Sequence, residues 1–187
     1  MRTFLALDID AETRKALASL PGNVPAAGAK IRWTEPENLH VTLHFLGEVD
    51  AERLTEVCET AVAGAGEVEP FDFAVEGALC VPSGGRKLRM IWAGVVEPTG
   101  RLAALHTTLG TALEGLGFRQ ERRAFRPHIT LARLKYANRV EPIRRAVAGY
   151  SETRFGTPRA DAATIYTSEL TPRGAVYTPA ARVPLGV

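Results

Sequence analysis

The chain has 187 residues, 45% of them hydrophobic and 24% charged, the balance of an ordinary folded domain that needs no disulfide or metal to close its core. A formal charge of only +2 excludes a polybasic nucleic-acid condenser, and no stretch approaches the ~20 apolar residues of a membrane span. Cys58 and Cys80 are the only cysteines and lack paired spacing, which points to a reducing cytoplasm. The apolar run of Thr3–Ile9 is broken by Asp8 and is too brief for a signal peptide, so it reads as a buried strand. Ala11–Leu20 reads as a short helix stopped by Pro21-Gly22. Leu39–Leu46 is the next strand, with Gly47 ending it, and Asp50 is expected to cap a helix over Ala51–Ala63. Phe71–Gly77 alternates like a half-buried strand, and Pro82–Gly85 turns into a second one, Leu88–Val95. Thr99 is expected to cap a helix in which Leu102, Leu105, Leu109, Leu113 and Leu116 share a face and which Gly117 ends. His128–Leu134 follows as a strand, then a short helix with Pro142 in its first turn that reaches about Ala148, then a hairpin of Ala162–Tyr166 and Ala175–Arg182. Helices and hairpin-linked strands interleave without a linker, which favours a single α+β domain over a doubly wound parallel sheet.

Two strands carry the same four-residue pattern. His40-Val41-Thr42-Leu43 and His128-Ile129-Thr130-Leu131 both spell His-x-Thr-x with apolar residues at x. Side chains alternate along a strand, so each motif sets an imidazole beside a hydroxyl on one face and anchors two core residues behind. A third copy, His106-Thr107-Thr108-Leu109, falls inside the leucine-spaced helix, where residues two apart lie ~200° apart about the axis. His106 and Thr108 cannot converge there, and His106 reads as structural.

Charge is uneven. Between Arg119 and Arg145 there are nine basic residues, Arg122, Arg126, Arg133 and Arg144 among them, against Glu121 and Glu141. The second motif lies inside this window, which suggests an anionic ligand with Arg133 among its contacts. By simple alternation His44 shares a face with His40, which raises a metal site, but no carboxylate completes a ligand set. Metal and cofactor are therefore both expected to be absent. No phosphate-cradling glycine loop and no serine nucleophile turn occurs.

With their flanks, these motifs resemble the two-histidine phosphoesterases, and among them the RNA 2′,3′-cyclic phosphodiesterases, also known as 2′-5′ RNA ligases. The likeness includes Arg2-Thr3-Phe4-Leu5-Ala6-Leu7-Asp8, Arg32-Trp33, Pro36–Leu43, Phe45–Val49, Phe125–Arg133 and Ser168-Glu169-Leu170. It implies two pseudo-symmetric α+β lobes over residues 1–187, each a mainly antiparallel sheet with flanking helices, around a central groove. It also implies hydrolysis of a 2′,3′-cyclic phosphate at an RNA or oligonucleotide end to a 2′-phosphate; a cytoplasmic monomer with no membrane partner is expected. The near two-fold pattern does not say which histidine is the acid. The resemblance makes His40 the proton donor and His128 the proton acceptor, with Thr42, Thr130 and Arg133 binding the phosphate. His44 departs from the family, which often has a basic or small residue there, and is expected to alter the groove mouth. Three alternatives stand beside this reading: ligation by the reverse route, a zinc hydrolase, and a non-catalytic RNA-end binding module. The last would stack a base on Trp33, Phe45 or Tyr136, each read first as a core residue.

Overall fold

The computed structural model describes residues 1–119, 123–135, 139–172 and 174–187. Arg122, Tyr136 and the turn residue Arg173 therefore lie outside the described residues. In chain order the elements are β1 (Arg2–Asp8), α1 (Ala11–Ala18), β2 (Lys30–Trp33), β3 (His40–Glu48), α2 (Ala51–Gly66), β4 (Phe71–Asp72), β5 (Ala74–Val81), β6 (Met90–Val96), α3 (Arg101–Gly115), β7 (His128–Lys135), α4 (Glu141–Ala148), β8 (Arg154–Gly156), β9 (Arg159–Ala160), β10 (Ala162–Thr171) and β11 (Gly174–Pro184). The small pair β4–β9 stands apart. The other strands form one sheet in the order β11-β10-β1-β3-β7-β6-β5-β8, with β2 added beside β7. Every pairing among the described residues is antiparallel.

Along that order the sheet falls into two four-strand halves, with β2 the ninth strand, that meet at β3 and β7 through the pair Val41 and Ile129. Each half is centred on a strand, a helix and a histidine strand: β1, α1 and β3 in one, with β2 intervening before β3, and β6, α3 and β7 in the other. The chain then crosses over. β5 follows the first unit but pairs with β6, and β10 follows the second but pairs with β1. The two lobes are thus laced together; the architecture is α+β as expected, and the sheets expected of the two lobes run on as one through β3 and β7. Behind it lies a core to which α3 contributes Leu102, Leu105, Leu109 and Leu113, all buried at helical spacing.

Local departures from the sequence reading have identifiable causes. Phe71–Gly77 is split between β4 and β5, which pair with different partners. Gly47 does not end its strand; it takes a left-handed φ of 74° inside β3, opposite Thr3. Asp50 occupies the N-cap of α2 without a side-chain capping bond. Thr99 is not the cap of α3. Gly100 takes that position, and the Glu97 carboxylate accepts from the backbone N–H groups of Thr99 (2.8 Å) and Leu102 (3.0 Å). A carboxylate suits the positive end of a helix better than a hydroxyl does.

Candidate active site

Val41 and Ile129 are fully buried, and their pairing sets the geometry in front of the sheet. In an antiparallel register about that pair, His40 lies toward Thr130 and Thr42 toward His128. Each histidine is oriented in the same way. The Nδ1 of His40 lies 2.8 Å from the Asn38 carbonyl, and the Nδ1 of His128 lies 2.7 Å from the Arg126 carbonyl. A carbonyl can only accept, so Nδ1 carries the proton in both rings and Nε2 is left for chemistry. The Nε2 of His40 lies 3.0 Å from Thr42 Oγ1. The Asn38 carbonyl is held in place by a single 3-10 turn and by the Asn38 side-chain amide, which donates to the Ala175 carbonyl at 3.1 Å.

Both histidine strands carry a β-bulge at the last residue of the motif, and the bulges decide which side chains reach the site. In β3 the register slips as Thr42 pairs with Ala6 and His44 with Leu5, leaving Leu43 as the extra residue. In β7 it slips in the same place, with Thr130 opposite Trp92, Ala132 opposite Ile91, and Leu131 extra. Two successive residues therefore turn to the core in each strand, Leu43 and His44 in one and Leu131 and Ala132 in the other. The next residues, Phe45 and Arg133, return to the front. Without its bulge β7 would point Arg133 at the core.

This corrects the expectations for His44. It does not share a face with His40, and it lies away from the groove mouth. It is buried against α3, where its Nε2 donates to the His106 carbonyl at 2.7 Å and its ring stacks on that of His106 at 4.3 Å. His106 stacks in turn on Phe125 at 4.0 Å, the structural role expected of it. Among the described residues no group of three or more His, Cys, Asp and Glu side chains could hold a metal ion.

The surroundings of the two rings differ. Phe4 lies 5.0 Å from His40, and Tyr177 meets it edge-on at 5.5 Å. Trp92 stacks flat on His128, with centroids 3.6 Å apart and planes 20° from parallel. Asp8 is paired with His40 across β1 and β3. Burial, and more weakly the charge of His128, hold His40 below the ordinary imidazole value of 6.5, while the Asn38 carbonyl and Asp8 pull it back up. The influence of one histidine on the other places both rings in one electrostatic field.

Next to His40, past Phe4 and Tyr177, opens a groove of about 960 Å³ whose walls include Arg32, Trp33, Phe45 and Arg133; the two histidines, Thr42 and Thr130 do not line it. Of the expected phosphate contacts, Thr42, Thr130 and Arg133 all lie on the front of the sheet with the histidines. Phe45 is 68% exposed, so it is a wall of the groove and not a core residue. The basic window does not act as a unit. Arg144 turns away to donate to the carbonyls of Pro82, Ser83, Gly84, Gly85 and Lys87, fixing that loop. Sequence reasoning missed Trp92 and Asp8, because their roles depend on cross-strand register. No helix among the described residues is long and apolar enough to cross a membrane.

Comparison with known proteins places this geometry. The family profile described as LigT like Phosphoesterase matches residues 7–92 and 94–177. An RNA 2′,3′-cyclic phosphodiesterase of Methanothermobacter thermautotrophicus is 31% identical, the alignment covering 95% of each chain. One of Thermotoga maritima is 34% identical, over 95% of this chain and 91% of its own. Among solved structures, TT0787 of Thermus thermophilus superposes with a TM-score of 0.82 at 27% identity, over 100% of this chain and 98% of its own. Escherichia coli LigT complexed with 3′-AMP gives 0.75 at 28% identity, over 98% and 97%. With the profile matched across both histidine strands and nearly the whole length shared, the chain belongs to the LigT-like phosphoesterase family.

Proposed function

We propose that this protein hydrolyses 2′,3′-cyclic phosphate ends of RNA to 2′-phosphomonoesters, using two histidines, no metal and no cofactor, within a single two-lobed domain spanning residues 1–187. The observation that carries the reading is the pairing of two His–Thr units about Val41 and Ile129, each imidazole fixed through Nδ1 to a backbone carbonyl. Opening a cyclic diester in line needs a base on one side of phosphorus and an acid on the other. His128 takes a proton from water through Nε2, and the water oxygen forms the new P–O bond. The P–O3′ bond breaks as His40 gives its Nε2 proton to the departing ribose oxygen. Negative charge gathers on the non-bridging oxygens, where the Thr42 and Thr130 hydroxyls and the Arg133 guanidinium donate hydrogen bonds. Each proton transfer is typically worth 10²–10⁴-fold. In the free protein burial favours neutral His40; an anionic phosphate settling beside it restores the proton that catalysis needs.

The relatives named above are RNA 2′,3′-cyclic phosphodiesterases, which supports the same substrate class here. The test is product analysis after incubation with a short RNA ending in a 2′,3′-cyclic phosphate, with excess EDTA present. A 2′-phosphate end is the expected product. A 3′-phosphate would reverse the leaving group. A 2′-5′ joined product formed with a 5′-hydroxyl RNA would identify ligation, and retention of unchanged RNA a binding module. Loss of turnover in EDTA, restored by Zn²⁺, would mean a metal hydrolase.

A further inference from the structure

The two histidines are chemically alike, yet the proposed reaction needs one to give a proton and the other to take one. The strands beside them break the symmetry. β1 flanks β3 as β6 flanks β7. On β1 the residue paired with His40 is Asp8; on β6 the residue paired with His128 is Gly94. No side chain fits at Gly94, because a Cβ there would stand 2.7 Å from the backbone oxygen of Glu76 on β5. One step along, the residue paired with Thr42 is Ala6, whereas that paired with Thr130 is Trp92, whose ring covers His128. One histidine therefore stands beside a carboxylate, the other beside bare backbone and an indole face.

Asp8 is held firmly in that position. Its Oδ2 accepts from Thr164 Oγ1 at 2.7 Å and its Oδ1 from Tyr166 Oη at 2.6 Å, both from β10. Tyr166 is itself stacked on Phe4 at 5.3 Å, and Phe4 lies against His40. These donors are neutral; the Arg14 guanidinium of α1, which donates to the Ile9 carbonyl at 3.1 Å, also acts on Tyr166. Burial and Asp8 push the Tyr166 hydroxyl well above its ordinary value, which keeps it a donor throughout the working pH range. The other groups around His40 are His128 from β7 and the rings of Tyr166 and Tyr177 from β10 and β11.

We propose that Asp8 is a positioning residue that ends the equivalence of the two histidines, its carboxylate drawing the proton to His40 once the anionic phosphate binds and so making His40 the donor to the departing ribose oxygen. This rests on the two-histidine reading above. The consequence is a division of labour set by two residues that flank the motifs on equivalent strands, a carboxylate on β1 and a glycine on β6.

The test is Asp8→Asn, which keeps shape and an acceptor for Tyr166 but removes the charge. Two readouts are taken together: the ring-proton NMR titrations of His40 and His128, and hydrolysis of two cyclic substrates. One substrate has the natural 3′-oxygen. The other has sulfur there, and its thiolate departs without a proton. The expected result is a fall of about one pH unit in the His40 midpoint with a much smaller change in that of His128. Turnover of the oxygen substrate should drop about ten-fold above neutral pH, while the sulfur substrate keeps its rate. An unmoved His40 midpoint, or equal loss on both substrates, would overturn the role given to Asp8. Should Asp8→Asn not fold, the pair Thr164→Val and Tyr166→Phe leaves the carboxylate but releases it. The same selective loss on the oxygen substrate is then expected, and equal loss on both substrates would again overturn the role. The underlying reading fails separately, if wild-type turnover survives in both His40→Ala and His128→Ala.

Discussion

His106 offers a sharp check on the division between site and scaffold, because it carries the same His-x-Thr pattern as the proposed catalytic pair. Its ring lies between His44 at 4.3 Å and Phe125 at 4.0 Å, both nearly parallel to it. Each such contact is worth about 0.5–1.5 kcal/mol, so His106→Ala removes about 1–3 kcal/mol. Alanine returns about half a kcal/mol through better helix propensity, and the bond from His44 survives because its acceptor is the backbone carbonyl. The net loss of about 0.5–2.5 kcal/mol corresponds to a fall in Tm of about 1–10 °C for a chain of this size. The effect must also depend on pH. Burial, and then the charge of His44, lower the His106 pKa from 6.5 to about 4. As pH falls below 6.5 the unfolded chain takes up a proton that the folded chain refuses until about 4, so stability is lost across that window. The alanine variant lacks this penalty, and the Tm gap to wild type should shrink steadily on acidification. The assay is thermal unfolding from neutral pH down to pH 4.5, with hydrolysis of a 2′,3′-cyclic nucleotide measured at neutral pH. A Tm gap independent of pH, or a loss of turnover of 10²-fold or more in a folded variant, would refute the reasoning.

Three further expectations follow from single contacts. Trp92→Phe keeps a stacking face on His128 and should stay close to wild-type kcat, whereas Trp92→Ala should lower it about 2- to 10-fold, as steady-state kinetics would show. Gly94→Ala drives a Cβ against the Glu76 carbonyl, and chemical denaturation should register a loss of about 1–3 kcal/mol. Arg144→Ala releases the carbonyls of the Pro82–Lys87 loop; amide exchange across that loop should quicken while turnover is unchanged.

What could be read in the sequence follows from how local each signal is. The His-x-Thr-x strands, the face of α3 from Leu102 to Leu113 and Pro142 in the first turn of α4 rest on signals within a few residues, and the structure keeps them. The bulges at Leu43 and Leu131 are different. They arise because the partner strand skips a residue, and nothing in β3 or β7 alone announces that. Counting by twos past the motif therefore put His44 beside His40, when it packs on α3. The same blindness hid Asp8 and Trp92, whose neighbours on β3 and β7 are tens of residues away in sequence. At Thr99 the failure was chemical: a hydroxyl next to a helix start looked like the cap, while the carboxylate of Glu97, two residues earlier, binds the free N–H groups. In the basic window, charge alone could not separate Arg133, which a bulge returns to the groove, from Arg144, which a loop of carbonyls consumes.

The central claim is that His40 and His128 perform the two proton transfers of phosphodiester opening. It is tested most directly by single-turnover hydrolysis of an RNA ending in a 2′,3′-cyclic phosphate by wild type, His40→Ala, His128→Ala and the double variant, all shown to be folded. Each single variant should lose about 10²–10⁴ in rate, and the double variant far less than the product of the two losses, since either proton transfer is of little use without the other. Near-normal rates in both single variants, with RNA binding weakened instead, would contradict the account.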